Sequence, residues 1–229
     1  MPLQHAETSS PSSTHGRRTA DDALPLWRSA NIRDWQAAAI WLADLHIAPV
    51  PRDGGDLPRH DRRSLRRVME RALLRHGDAV APLADDFERA VARLAHRPVG
   101  LVHGAFYASN VRVDHPDGLP RIRAVAWDHA GVGCGLLDLA ALLSGVRARD
   151  NRTRVAAAYA SALPPGLRPS ARELVAGLDD AHTVLATQWL AGPDDLPDPV
   201  AQPVAPVAVL PTAAIAAPAR PLVLELLAA

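Results

Sequence analysis

Two short apolar segments, residues 99–103 and 110–114, enclose a loop that carries a His-Gly pair and ends at Asn110. A turn rich in Asp, Pro and Gly follows at 114–118, and a third apolar segment runs from 121 to 128. Segments of this length that contain β-branched residues and are bounded by turn signals are typical of strands. The sequence therefore predicts a small β-element built around this loop.

Helical periodicity is found on both sides of the β-element. The first helix is predicted over 34–46, where apolar residues recur at helical spacing, with Asn31 or Asp34 as its N-terminal cap. Further helices are predicted at 59–76, 85–96, 136–147, 151–162 and 170–190. The pattern predicts an α+β fold that is mainly helical, in one domain large enough to bury a core.

The domain is predicted to span residues 26–192, between two tails of different composition. Residues 1–25 are rich in Ser, Thr, His and charged residues and lack apolar periodicity, which predicts a disordered tail. Residues 193–229 are crowded with Pro and Ala, which favours an extended or disordered segment. A short terminal helix is predicted over 222–227.

Three motifs follow one another along the β-element and the next helix. They are H-G-A-x-x-x-x-N from His103 to Asn110, A-W-D over 126–128, and D-L-A over 138–140. Their order and spacing resemble the aminoglycoside phosphotransferase and choline kinase-like family, with its H-G-D-x-x-x-x-N, I-D-W-E and D-L-A motifs. The resemblance covers roughly residues 26–192 and is strongest over 101–143. It implies a protein-kinase-like C-terminal lobe.

Two departures from the family pattern fall on its acidic residues. In the family the acid after His-Gly accepts the proton of the substrate hydroxyl, and in this chain that position is Ala105. The aspartate of I-D-W-E holds the metal on the nucleotide phosphates, and it aligns with Ala126. The resemblance therefore predicts a catalytically inactive member, a pseudokinase with a relic loop.

The other motif residues each allow a functional and a structural interpretation. His103 contacts a phosphate or braces the loop through hydrogen bonds. Asn110 is a metal ligand, as the family implies, or a local cap of the loop. Asp138 caps the helix that it opens or braces the backbone of the His-Gly pair.

One alternative keeps a metal site. If 121–128 is one strand, Ala126 and Asp128 lie on the same face, about 7 Å apart. Asp128 and Asn110 would then hold Mg²⁺ on ATP, since Mg²⁺ binds few protein oxygens and retains water. Mg-ATP is expected only under this alternative, and otherwise no cofactor is expected.

The nucleotide-binding parts of a kinase are missing from the sequence pattern. All 25 basic residues are Arg, so the phosphate-binding strand Lys of kinase folds has no counterpart. Little chain precedes Trp27, which predicts that the N-terminal nucleotide lobe is absent. The glycines at 131, 133 and 135 lack the strand-before-helix context of a phosphate loop and are expected to form a turn.

Composition limits the classes of partner. The formal net charge is +0, which favours neither nucleic acid nor an anionic membrane. The arginines at 62, 63, 66, 67, 71 and 75 are best interpreted as a solvated helix face. One cysteine, no signal-peptide core and no apolar run of membrane-spanning length predict a cytoplasmic protein.

Three functional hypotheses remain at this point. The first is a degenerate phosphotransferase that binds a small molecule or a protein partner. The second is an ATP-dependent phosphotransferase that acts on a hydroxyl of a small polar molecule, with Asp128 and Asn110 on the metal and a nucleotide lobe supplied elsewhere. The third is a truncated remnant without a selected function.

Overall fold

The structure is a computed structural model that describes residues 23–50 and 57–192. The predicted tails lie outside the described residues, apart from the last residues of the first one, and so does the predicted terminal helix. Leu24 and Pro25, which were assigned to the disordered tail, instead form a short strand, β1. They pair with residues that follow the loop, which ties the start of the described chain to the β-element.

Six helices account for most of the described residues. They are α1 Ile32–Ile47, α2 Arg62–His76, α3 Ala84–Leu94, α4 Leu136–Ser144, α5 Arg149–Ala162 and α6 Ala171–Ala191. Side chains cap several of them: Asn31 accepts a hydrogen bond from the first turn of α1, Asp61 from that of α2, and Ser170 forms a reciprocal capping box with Glu173 on α6. These helices confirm the predicted, mainly helical fold.

The long helix α6 is the centre of the helical core. Helices α2, α3 and α4 all pack against it, and α1 packs against α5. The largest fully buried side chains include Phe87, Phe106, Leu42 and Leu139. An ion pair joins α3 to α6, where two nitrogens of Arg93 donate hydrogen bonds to the buried carboxylate of Asp180.

Six short strands form two three-stranded sheets. The strands after β1 are β2 Arg59–His60, β3 Val99–Val102, β4 Val111–Asp114, β5 Arg121–Ala124 and β6 Gly131–Cys134. One sheet has the order β1-β4-β5 and is antiparallel. The other has the order β2-β6-β3, in which β6 runs parallel to β2 and antiparallel to β3. The loop 103–110 connects β3 of the second sheet to β4 of the first.

Three elements differ from their predicted form. Residues 59–60 form strand β2 rather than the first turn of α2. Strand β5 ends at Ala124 instead of 128, because Ala126 has a φ of 62°, in the left-handed region. The glycine run forms strand β6 rather than a turn: a Cβ at Gly131 would lie 2.4 Å from the carbonyl oxygen of Pro58, so only glycine allows this close approach.

The basic helix α2 has the solvated face that the sequence indicated. Arg66 donates hydrogen bonds to both carboxylate oxygens of Glu88, and Arg62 lies 3.4 Å from one of them. Both guanidinium groups are about half exposed. Every described helix is too short or too polar to traverse a lipid bilayer.

Candidate functional site

The loop 103–110 is closed by hydrogen bonds to its own backbone. The carbonyl oxygen of Ala105 accepts from the N–H of Tyr107 at 2.7 Å and from the side-chain amide of Asn110 at 3.0 Å. A single 3-10 turn, Ala108–Asn110, leads into β4. Asn110 thus makes the local contact that the structural interpretation predicts, through its Nδ2 atom.

The start of the loop is held by Asp138. Its two carboxylate oxygens accept hydrogen bonds from the backbone N–H groups of His103, at 2.6 Å, and Gly104, at 2.9 Å. Asp138 is buried, and the N-terminal cap of α4 is Gly135 instead. Asp138 therefore braces the His-Gly backbone, and it does so from a helix of the core.

Two further residues support this carboxylate. His46, at the end of α1, lies 3.4 Å from an Asp138 oxygen through Nε2, and its Nδ1 lies 2.8 Å from the Tyr159 hydroxyl. A carboxylate only accepts, so Nε2 donates to Asp138, and in the neutral ring Nδ1 accepts from the Tyr159 hydroxyl. Burial raises the pKa of Tyr159, which keeps this hydroxyl a donor. The sequence pattern does not predict this role of His46, because its partner Asp138 lies 92 positions away along the chain.

The imidazole of His103 is enclosed by the loop. It has no exposed surface, and Nε2 donates to the carbonyl oxygen of Val125 at 3.0 Å. The ring lies 4.6 Å from Trp127 and 5.6 Å from Phe106, between ring centroids. Burial lowers the pKa of His103, so the neutral ring is favoured. The structure places His103 as a brace, with no ring surface open to a ligand.

Aromatic rings cover one side of the loop. Trp41 of α1 stacks on Phe106 with a centroid distance of 5.4 Å and an angle of 7°. On the other side, buried Tyr107 meets Trp189 of α6 edge to face, and burial raises the pKa of Tyr107 to about 12. These contacts fix the loop between α1 and α6.

The two alanines of the relic motifs lie in different surroundings. Ala105 is 1% exposed, whereas Ala126 is exposed and has a positive φ. Asn and Asp tolerate that backbone conformation better than Ala does. The backbone conformation at position 126 therefore suits Asp or Asn, whereas the side chain present is the methyl group of alanine.

Asp128 is exposed and follows the end of β5, in a turn closed by the Ala130 N–H and the Trp127 carbonyl. Because 125–128 is not strand, the alternation that placed Asp128 on the face of Ala126 does not apply. Among the described residues, no three His, Cys, Asp or Glu side chains gather to hold a metal. Asn110 donates to the loop through Nδ2, and a magnesium ion would be held by its Oδ1 and by carboxylate oxygens, so magnesium binding at Asn110 and Asp128 stays a prediction.

A contact between His60 and His129 lies against the start of the loop. His60 of β2 donates through Nε2 to the carbonyl oxygen of His129, at 2.9 Å. A Cβ at Gly104 would lie 2.0 Å from that same oxygen. The sequence pattern predicts neither His60 nor His129 as a site residue, because their contact joins segments 69 positions apart along the chain.

Removing the charge of Asp138 should loosen the loop and destabilise the fold. We expect Asp138→Asn to lower the free energy of unfolding by about 3 kcal/mol or more. The amide is uncharged and has one acceptor oxygen, so one of the two backbone N–H groups loses its acceptor. The matched control is Asp128→Asn on the surface, which should change the free energy of unfolding by less than about 0.5 kcal/mol. Urea titrations of both variants measure this, and equal effects would argue against the brace.

Two glycines with similar backbone conformations provide a test of the close approach at the loop. Gly104 and Gly118 have φ values of 76° and 78°, but a Cβ at Gly118 meets nothing within 4 Å. Gly118→Ala should lower the free energy of unfolding by about 1 kcal/mol, because alanine is strained in the left-handed conformation. Gly104→Ala should cost at least ~2 kcal/mol more, because the methyl overlaps the His129 carbonyl. Thermal unfolding of both variants gives the difference, and comparable losses would contradict this geometry.

The lowered pKa of His103 predicts a pH-dependent stability. The folded state binds fewer protons than the unfolded chain below the ordinary histidine pKa of about 6.5. Stability is therefore lost as the pH falls below that value, until the folded-state pKa is passed. Compared with His103→Gln, the wild type should lose up to ~1.4 kcal/mol more per pH unit. Urea titrations from about pH 7 to about pH 5 measure the two slopes, and equal slopes would rule out this origin.

No model of a known protein family matches the sequence, and no curated protein matches it. Solved structures do match the fold. A choline/ethanolamine kinase family protein from Mesorhizobium loti has a TM-score of 0.51 and 16% identity, over 74% of this chain and 58% of that one. Choline kinase LicA from Streptococcus pneumoniae has a TM-score of 0.52 and 16% identity, over 75% of this chain and 59% of that one.

An aminoglycoside-3'-phosphotransferase of type VIII also matches, with a TM-score of 0.51 and 15% identity, over 68% of this chain and 60% of that one. The chain thus spans less than two thirds of the length of each of these structures. The likenesses confirm the fold predicted from the three motifs: the chain has a phosphotransferase-like, kinase-like fold.

Proposed function

We propose that this chain is a phosphotransferase-like scaffold that does not transfer phosphoryl groups and that acts as a binding module. The observation that carries the proposal is the loop itself. Its braces and closing hydrogen bonds are in place, but the position after His103-Gly104 is a buried methyl group, Ala105. The loop keeps its shape without a group that can accept a proton.

Phosphoryl transfer to a hydroxyl needs a positioned base or an equivalent orienting group. Within the loop, His103 is buried with Nε2 engaged by Val125, and the pKa of Tyr107 is raised far above neutrality. Asn110 has no titratable group. No side chain of the loop therefore replaces the missing acid.

The charge of the transferred group must also be neutralised, usually by a metal ion held by carboxylates. Ala126 offers no oxygen ligand, and Asp128 stands exposed in a turn beyond the end of β5. A single carboxylate in water holds a magnesium ion weakly. These features favour a role in binding over a role in catalysis.

A nucleotide-binding experiment tests the proposal. Thermal unfolding is measured with millimolar Mg-ATP, with ATP and EDTA, and with magnesium alone. A ligand present at about 100 times its Kd would add ~2.7 kcal/mol to the free energy of unfolding, a shift of several degrees. We expect no magnesium-dependent shift, and no ADP formed in the presence of candidate hydroxyl acceptors.

The alternative, an ATP-dependent phosphotransferase with Asp128 and Asn110 on the metal, makes the opposite prediction. A magnesium-dependent shift in the wild type that Asp128→Asn abolishes would overturn the proposal. The double variant Ala105→Asp/Ala126→Asp is the positive comparison. If it gains magnesium-dependent ATP binding, the two alanines account for the difference.

A further inference from the structure

A cavity of about 120 Å³ lies apart from the loop, between strands β2, β3 and β6 and helices α2 and α3. Its floor is apolar and is formed by the buried side chains of Leu65, Val91, Leu94 and Val132. The cavity is a cleft that is partly open to solvent. Small-molecule sites are concave and mostly apolar with a few polar groups, and this cleft shares that chemistry.

The charges at this cavity are unbalanced. Two arginines, Arg59 and Arg62, and one carboxylate, Asp61, line it. Asp61 already accepts a hydrogen bond from the N–H of Ser64 as the cap of α2. The charged lining therefore leaves one positive charge in excess.

The two arginines differ in their carboxylate partners among the described residues. Arg62 lies 3.4 Å from a carboxylate oxygen of Glu88, which Arg66 already engages through two nitrogens. For Arg59, no carboxylate partner is found in the part of the chain that the structure describes. A planar guanidinium fork matches a carboxylate in shape and charge, and a hydrogen bond of this kind is stronger than a neutral one.

The volume limits the apolar part of the ligand. A buried cavity of about 150 Å³ holds benzene, so a cavity slightly smaller than this accommodates a chain of about five carbon atoms. An anionic head of one charge would meet the guanidinium groups at the mouth. A head with two negative charges would exceed the single excess positive charge of the residues that line the cavity.

We propose that this cavity binds a short-chain monocarboxylate, with its apolar chain on the Leu65–Val132 floor and its carboxylate at Arg59 and Arg62. The site goes beyond the function proposed for the loop, and it does not depend on whether the loop binds nucleotide. Hexanoate is the probe, since its chain fills the cavity and its head carries one charge.

Binding is measured by isothermal titration calorimetry and by protein-detected NMR with sodium hexanoate. Sodium chloride at equal ionic strength, acetate and hexanamide are the comparisons. We expect saturable hexanoate binding that shifts the resonances of His60 and Val132. Acetate, without the chain, and hexanamide, without the charge, should each bind at least about fivefold more weakly.

Three variants locate the site. Arg59→Gln should weaken hexanoate binding at least about fivefold, whereas Arg67→Gln, the same change at an exposed arginine outside the cavity, should leave it unaltered. Ala95→Leu adds volume at the exposed rim and should block the chain.

The outcomes separate specific binding from general attraction to a basic helix. Equal losses in Arg59→Gln and Arg67→Gln, or equal affinity for hexanamide, would overturn the proposal, as would no saturable binding by the wild type. If Ala95→Leu does not unfold cooperatively, the paired arginine variants decide alone. Because no nucleotide is present, a negative result here leaves the proposal for the loop untouched.

Discussion

One buried carboxylate determines where the loop lies. Asp138 accepts the backbone N–H groups of His103 and Gly104, and it is reached from the other side by His46, whose second nitrogen meets Tyr159. Burying a carboxylate is costly unless donors surround it, and these donors come from the loop and from helix α1. Since Asp138 belongs to α4, which packs on α6, the helical core sets the position of the loop. Strands β3 and β4 connect to the two ends of the loop.

This arrangement separates the shape of the loop from its chemistry. The brace uses backbone N–H groups, and the closure uses the carbonyl oxygen of Ala105, so neither depends on the side chain at that position. Likewise, the left-handed backbone at Ala126 is kept although Ala gains nothing from it. A loop held in this way keeps its shape whatever side chain stands at position 105, so the kinase-like backbone does not require an acid there.

The sequence predicted the parts of the molecule that depend on local pattern. Helical periodicity located all six helices, and the three motifs indicated the fold, because their spacing reflects a strand, a loop and a helix in fixed order. Strand β2 and the role of β6 escaped prediction. Both depend on contacts between distant segments, with the glycines of β6 lying against Pro58 and His60. His46 and His60 escaped for the same reason, since their partners are 92 and 69 positions away along the chain.

The burial of Ala105 explains how the chain can lack an acid there without losing stability. Residue 105 directly follows the two N–H groups that Asp138 holds, and its side chain is almost completely buried. A carboxylate at that point would lose most of its hydration, and a buried charge is costly unless donors surround it. A functional acid at such a site reduces stability, a cost that natural active sites accept in exchange for activity. A methyl group at this position carries no such cost. A rigid loop of this kind suits the binding role that we propose for this chain.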